Sequence, residues 1–177
     1  MQCSASGHYL RSRLKLVTSQ QRVINVKSLD SVGAKGRPVL DCPSAQANWP
    51  ESAVLGVVGG TVAEPRVAFL DELLPVTDEL LGQTAPVQPT EVLRVKSRCI
   101  EARCAHYKHR ECTLVSRILV ALRPVADDSP ACKIRSSCRW FYQAGTAACL
   151  RCPQVVTSYA GPSRELQDLS VAGETTS

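Results

Sequence analysis

The sequence predicts an α+β fold, a small antiparallel sheet followed by a cysteine-rich helical metal-binding module. Three observations carry that expectation. Short Val- and Leu-rich runs broken by Gly and Pro fill residues 53–95, the pattern of strands joined by turns. An apolar stripe of helical period follows between Leu114 and Leu122, and seven of the nine cysteines lie between Cys99 and Cys152.

The chain begins with a charge imbalance. Residues 1–40 carry seven basic groups against one acid, Asp30, a net of +6. They have no hydrophobic period and no apolar core of the roughly 7–15 residues that a secretory signal needs. Residues 1–39 therefore read as a basic non-globular leader, with a transit-like composition or that of a disordered tail. With 177 residues in all, one domain over about 40–158 is expected. It contains a cysteine-rich module at 96–157 and is followed by a flexible tail at 159–177. No run approaches the ~18 apolar residues of a membrane span, so no membrane partner is expected.

Residues 40–51, with Pro43, Ser44, Asn48 and Pro50, read as a loop. Val54 to Val58 and Val67 to Leu70 then form a hairpin around Gly59-Gly60, with Glu64-Pro65 bending the chain before the second strand. The glycine pair is a turn and no phosphate loop, since neither G-x-x-x-x-G-K-[ST] nor G-x-G-x-x-G is present. Thr77 is placed to cap a short helix whose first turn holds Asp78 and Glu79. Glu91 to Val95 reads as a third strand. Leu114, Val115, Ile118, Leu119 and Leu122 share one helical face over residues 112–123, ended by Pro124. A second helix is expected from Ser136 to Ala144, stopped by Gly145, and a third from Thr146 to Cys149.

The cysteines of the module are spaced C-x4-C-x7-C-x19-C-x5-C-x10-C-x2-C: Cys99, Cys104, Cys112, Cys132, Cys138, Cys149 and Cys152. Four chemistries compete for them. Disulfides fit poorly, because the count is odd, no secretory signal is present, and a chain that is 44% hydrophobic can build a core without staples. A structural zinc site favours two tight knuckles, and only Cys149-Leu150-Arg151-Cys152 is one. His106 and His109 could complete a mixed site. Redox thiols have the same C-x2-C as their single local motif. An iron–sulfur cluster tolerates wider spacing, because its ligands attach to different irons. Cys149-x2-Cys152-Pro153 matches two ferredoxin elements, though not the full ferredoxin run.

The leading assignment is an iron–sulfur cluster of the four-iron type on Cys132, Cys138, Cys149 and Cys152, with zinc as the alternative cofactor. Cys99, Cys104 and Cys112, with His106 as a candidate fourth ligand, would form a second metal site or cap the first. Cys3 and Cys42 are expected to be unligated, and His109, between Lys108 and Arg110, is expected at the surface. The aromatic run Trp140-Phe141-Tyr142 either shields a cluster or fills a small core.

Charge bears on this choice. Residues 51–95 hold seven acids against two bases, a net of −5, whereas residues 96–152 hold eleven bases against four acids, a net of +7. Cationic surroundings favour thiolates, the metal-binding form. The other use of such a segment is a solvated face that binds nucleic acid or an acidic protein. No hydrolase elbow or H-E-x-x-H is present. His109-Arg110-Glu111 supplies only half of a zinc deaminase motif, because Ala148 stands where that motif needs Pro before its first Cys. No catalytic site assembles, and an enzyme is not favoured.

The stretch Val58-Gly59-Gly60-Thr61-Val62-Ala63-Glu64-Pro65-Arg66-Val67, with Pro89-Thr90-Glu91-Val92, Cys138-Arg139-Trp140 and Cys149-Leu150-Arg151-Cys152-Pro153-Gln154-Val155-Val156-Thr157, resembles a family of small cysteine-rich bacterial proteins. They are frequent in cyanobacteria and loosely labelled nitrogen-fixation proteins. The resemblance covers about residues 40–158 and is most specific at its C-terminal motif. It implies cytoplasmic residence and an accessory role near metallocluster chemistry, and it brings no catalytic residues. The function expected is thus an iron–sulfur accessory protein for electron transfer, redox sensing or cluster handling, with a redox or metallocluster protein as partner. The alternative is a zinc-stabilised module that binds nucleic acid or an acidic protein.

Overall fold

The computed structural model describes Gly36 and residues 38–170. Most of the expected leader, with Cys3, and residues 171–177 lie outside the described residues. The architecture is α+β. Strands β1 (Asp41–Cys42), β2 (Ala53–Gly60), β3 (Pro65–Pro75) and β4 (Leu93–Arg98) form one sheet in the order β1-β4-β2-β3. Every pairing in it is antiparallel.

β2 runs through the glycine pair, with Gly60 opposite Pro65, and the hairpin turns just after it at residues 61–64. Gly60 has φ +80°, and a Cβ there would meet the Glu64 carbonyl oxygen at 2.5 Å. Only glycine combines that backbone with that contact. Two expectations are corrected here. Residues 40–51 are not all loop, because Asp41 and Cys42 pair with Arg98 and Ser97 as an edge strand. The second hairpin strand does not stop at Leu70 but runs to Pro75, past an irregularity where β2 steps from Val54 to Gly56 while β3 steps from Leu74 to Phe69.

Two short helices join the hairpin to β4. In α1 (Asp78–Gly82), Thr77 Oγ1 accepts the Leu80 N–H at 3.2 Å. At α2 (Pro89–Val92), the Gln88 N–H donates to Glu91 Oε1 at 3.2 Å, half of a capping box. A two-stranded ladder, β5 (Tyr107–Lys108) with β6 (Glu111–Cys112), leads into α3 (Thr113–Ala121). Then come α4 (Arg139–Ala144) and α5 (Thr146–Cys149), separated by Gly145 at φ +58°. The tail expected from residue 159 is not wholly loose. Arg164–Ser170 forms α6, and Leu169 is buried in the core.

The sheet separates two apolar clusters. Val54, Leu93 and Val95 pack with Ala45 and Trp49 under the N-terminal loop. Leu55 joins Leu114, Val115, Ile118, Leu122, Ile134, Trp140, Ala148 and Val155 on the helical side. The helical stripe orients α3. Ile118 is fully buried, whereas Val120 is 90% exposed. Ile118→Ala is therefore expected to lower unfolding stability by about 2–5 kcal/mol. Val120→Ala should change it by less than about 0.5 kcal/mol. Urea unfolding of the two variants measures both.

Candidate metal centre

Eight of the cysteines are free thiols within the described residues. They fall into two sets of four by mutual electrostatic influence. Cys138 and Cys152 each feel Cys132, and Cys149 feels Cys132 and acts on Cys152. Cys42 feels Cys99, Cys104 and Cys112, which also act on one another. The first set is the quartet expected from sequence. The second unites Cys99, Cys104 and Cys112 as expected, but with Cys42 beside them.

Local structure explains each placement in the first quartet. Cys138 caps α4 and lies beside Asp41 through an isolated parallel bridge. Its sulfur accepts the main-chain N–H groups of Trp140 and Phe141. Cys149 ends α5, and Cys152 opens a 3-10 turn at Cys152–Gln154. Cys132 lies in the loop between α3 and α4. A small cavity of about 20 Å³ runs between these four sulfurs, walled by Pro43, Leu55, Phe69, Trp140, Phe141 and Ala148. The aromatic run thus divides. Trp140 and Phe141 line the gap, while Tyr142 is 63% exposed.

Two arginines serve this quartet. Arg94 sits between Leu93 and Val95, so the strand's alternation sends it to the helical face. It is fully buried. Its Nε donates to the Pro43 carbonyl, its Nη1 to the Val155 carbonyl, and its Nη2 reaches Cys152 Sγ at 3.5 Å. The guanidinium also lies 5.1 Å from the Trp140 ring centroid, within cation–π range. Arg135 lines the cavity and contacts Cys149, and its buried Nε has no hydrogen-bond partner. A buried cation normally needs an anion and a buried donor an acceptor. Ionised sulfur supplies both.

The protonation state follows from burial. Burial pushes Cys138 up to about 12, against the Phe141 and Trp140 N–H groups that lower it. Burial pushes Cys152 to about 11, although Arg94 lowers it. Cys42, Cys104, Cys112 and Cys149 are also raised, with burial the largest cause in each. The basic segment therefore does not by itself make thiolates, because desolvation outweighs the cations. In the metal-free protein the native thiols keep protons that unfolded thiols, near 9.0, give up. Stability is then fully present below about pH 9 and falls as the pH rises towards 12. Urea midpoints of the metal-free protein at pH 8 and pH 10 should show that fall, and Cys138→Ser should flatten it.

His106, the candidate fourth ligand with Cys99, Cys104 and Cys112, lies between Arg117 and Cys104. Its ring Nδ1 lies 3.2 Å from Arg117 Nη2, and its main-chain N–H supports Cys104. Burial, then Arg117 and Lys108, hold its pKa below the ordinary imidazole value. Sequence reasoning did not place Cys42 beside Cys99, Cys104 and Cys112, nor Arg94 and Arg135 beside the first quartet. Of these only Arg94 left a local signal, as a lone charge inside an apolar strand.

Among the described residues, no group of three or more His, Cys, Asp or Glu is close enough to hold a single metal ion. Zinc sites place four ligand atoms about 2.0–2.3 Å from one centre. Among the described residues no helix is long and apolar enough to cross a membrane. Comparison of the chain with protein-family models, curated proteins and solved structures returns no match.

Proposed function

We propose that the protein is an iron–sulfur cluster-binding accessory protein, holding a four-iron cluster on Cys132, Cys138, Cys149 and Cys152. The observation that carries this reading is the gap lined by four free thiols and apolar side chains, with buried Arg94 reaching Cys152 and half-buried Arg135, whose Nε has no hydrogen-bond partner, beside Cys149. Such a cluster supplies one-electron redox chemistry at a potential set by hydrogen bonds to its sulfurs and by solvent exposure. The chain's own part is to ligate through four sulfurs, to present the Trp140 and Phe141 N–H groups to Cys138, and to keep water out with Trp140, Phe141 and Leu55. Arg94 and Arg135 balance the thiolate charge. The gap is narrow, so a bound group would push the sulfurs apart. Cys132, in a loop, and Cys149, at a helix end, can give way.

Within the basic segment 96–152 Arg139 is buried and Arg151 donates to the Leu122 and Ala147 carbonyls, while Arg98, Arg103, Lys108, Arg110, Arg117, Arg123 and Lys133 are exposed. Electron transfer to a redox or metallocluster partner in the cytoplasm is the role we favour, and the resemblance to cyanobacterial cysteine-rich proteins agrees with it.

The test is anaerobic purification of the full chain, with visible absorption and counts of iron, sulfide and zinc. A broad band near ~400 nm with at least about four irons and four sulfides per chain, lost in Cys152→Ser, is the expected result. Stoichiometric zinc without colour would overturn it.

A further inference from the structure

We propose that Cys42, Cys99, Cys104 and Cys112 form a second site for an iron–sulfur cluster, joined to the first through Cys138-Arg139-Trp140. The identity of its cofactor rests on the cluster reading of the first quartet, while the site itself rests on its own geometry.

Four separate pieces of chain converge there. The register of β1 on β4 sets Cys42 opposite Ser97, and the Cys99 N–H donates to the Leu40 carbonyl at 2.8 Å. Cys42 on β1 and Cys99, one residue past the end of β4, are thereby held close. The 3-10 turn Glu101–Arg103 ends on Cys104, whose N–H donates to the Glu101 carbonyl at 2.8 Å. Cys112 occupies the corner between β6 and α3, and its N–H donates to Gln143 Oε1 at 2.8 Å. That bond ties the corner to α4, the helix that begins next to Cys138.

Donors already surround these sulfurs. Cys42 accepts the Ser44 N–H, Cys104 the His106 N–H, and Cys112 those of Leu114 and Val115. Each donor lies two or three residues after its cysteine, as Trp140 and Phe141 do after Cys138. Such bonds favour the charged sulfur of a metal ligand over a thiol. Arg139 supplies the counter-charge. It is 6% exposed, contacts Cys99, and pairs with Glu101 at 2.5 Å, while its buried Nε has no hydrogen-bond partner.

The two quartets share a tripeptide. Cys138 belongs to the first, Arg139 contacts Cys99 of the second, and Trp140 lines the first cavity while its indole hydrogen-bonds Cys112 of the second. A residue in contact with both sites places them as neighbours. Two paramagnetic centres so placed should sense each other.

The experiment reconstitutes the full chain anaerobically with ferrous iron and sulfide and counts both. Wild type is expected to hold about eight irons, and Cys42→Ser and Cys152→Ser about half each. Cys104→Ser repeats the Cys42 test on a turn outside the sheet, which guards against an edge-strand defect. His106→Ala should load like wild type. The reduced wild type should give an electron paramagnetic resonance signal broadened by the second centre, and this broadening should vanish in every half-loaded variant. About four irons in wild type, kept in Cys42→Ser and Cys104→Ser but lost in Cys152→Ser, would overturn the second site and leave the first standing. Zinc on the second quartet would overturn its cofactor. A wild type with no iron at all would overturn the first reading instead.

Discussion

Arg94→Met is expected to cost the cluster-loaded protein more than the metal-free protein. In the metal-free state Arg94 is a buried permanent cation whose partners are two carbonyls and a protonated thiol. Methionine fills part of the volume and removes that charge, but strands the Pro43 and Val155 carbonyls. Each stranded acceptor costs about 1–3 kcal/mol. Removal of the unpaired buried charge offsets part of this, so a net loss of about 1–3 kcal/mol is expected. In the loaded state Cys152 is ionised and Arg94 is its counter-ion. Breaking a buried pair costs about 3–5 kcal/mol. Urea unfolding of both states, under anaerobic conditions, separates the two roles. An equal loss in each would mean that Arg94 is only a tie between the N-terminal loop and the C-terminal segment. Arg94→Lys keeps a charge but lacks the fork that reaches three acceptors. It should retain more iron than the methionine variant and still unfold more readily than wild type.

Sequence pattern exposes local periodicity, and the elements that depend on it were legible. The stripe from Leu114 to Leu122 becomes α3, Gly59-Gly60 ends β2 just before the hairpin turn, Thr77 caps α1, and Gly145 separates α4 from α5. The quartet of Cys132, Cys138, Cys149 and Cys152 was legible for a related reason. Its members are close in sequence, so short helices and loops bring them together. Cys42 was not legible, because its neighbours Cys99, Cys104 and Cys112 are far along the chain. Only the pairing of a two-residue edge strand with β4 sets it among them, and no period marks so short a strand. Arg94 was hidden differently. Alternation in β4 assigns it the face opposite Leu93 and Val95, but whether that face meets water depends on helices built from residues after 112. The helix at Arg164–Ser170 did carry a signal, Leu166 and Leu169 spaced one turn apart behind Ser163. Gly161 and Pro162, just ahead of it, mask that signal.

Trp140 is expected to separate packing from electronics. It is 2% exposed, stacks under Arg94, and belongs to the helical-side core. Trp140→Ala opens that core and should cost about 3–5 kcal/mol of stability, enough to lower cluster retention at both quartets without revealing why. Trp140→Phe keeps most of the ring and removes the indole N–H that reaches Cys112. A hydrogen bond to a ligand sulfur stabilises the more negative, reduced state of a cluster, so its loss lowers the reduction potential. The phenylalanine variant should therefore load both quartets, unfold close to wild type, and show one of two potentials moved negative in a redox titration. The potential that stays should belong to Cys132, Cys138, Cys149 and Cys152, as Cys42→Ser in the same background would show by deleting the one that moved. Two unmoved potentials would leave Trp140 a packing residue. Movement of both would mean that the cavity wall, rather than the Cys112 hydrogen bond, sets the electrostatics of the pair.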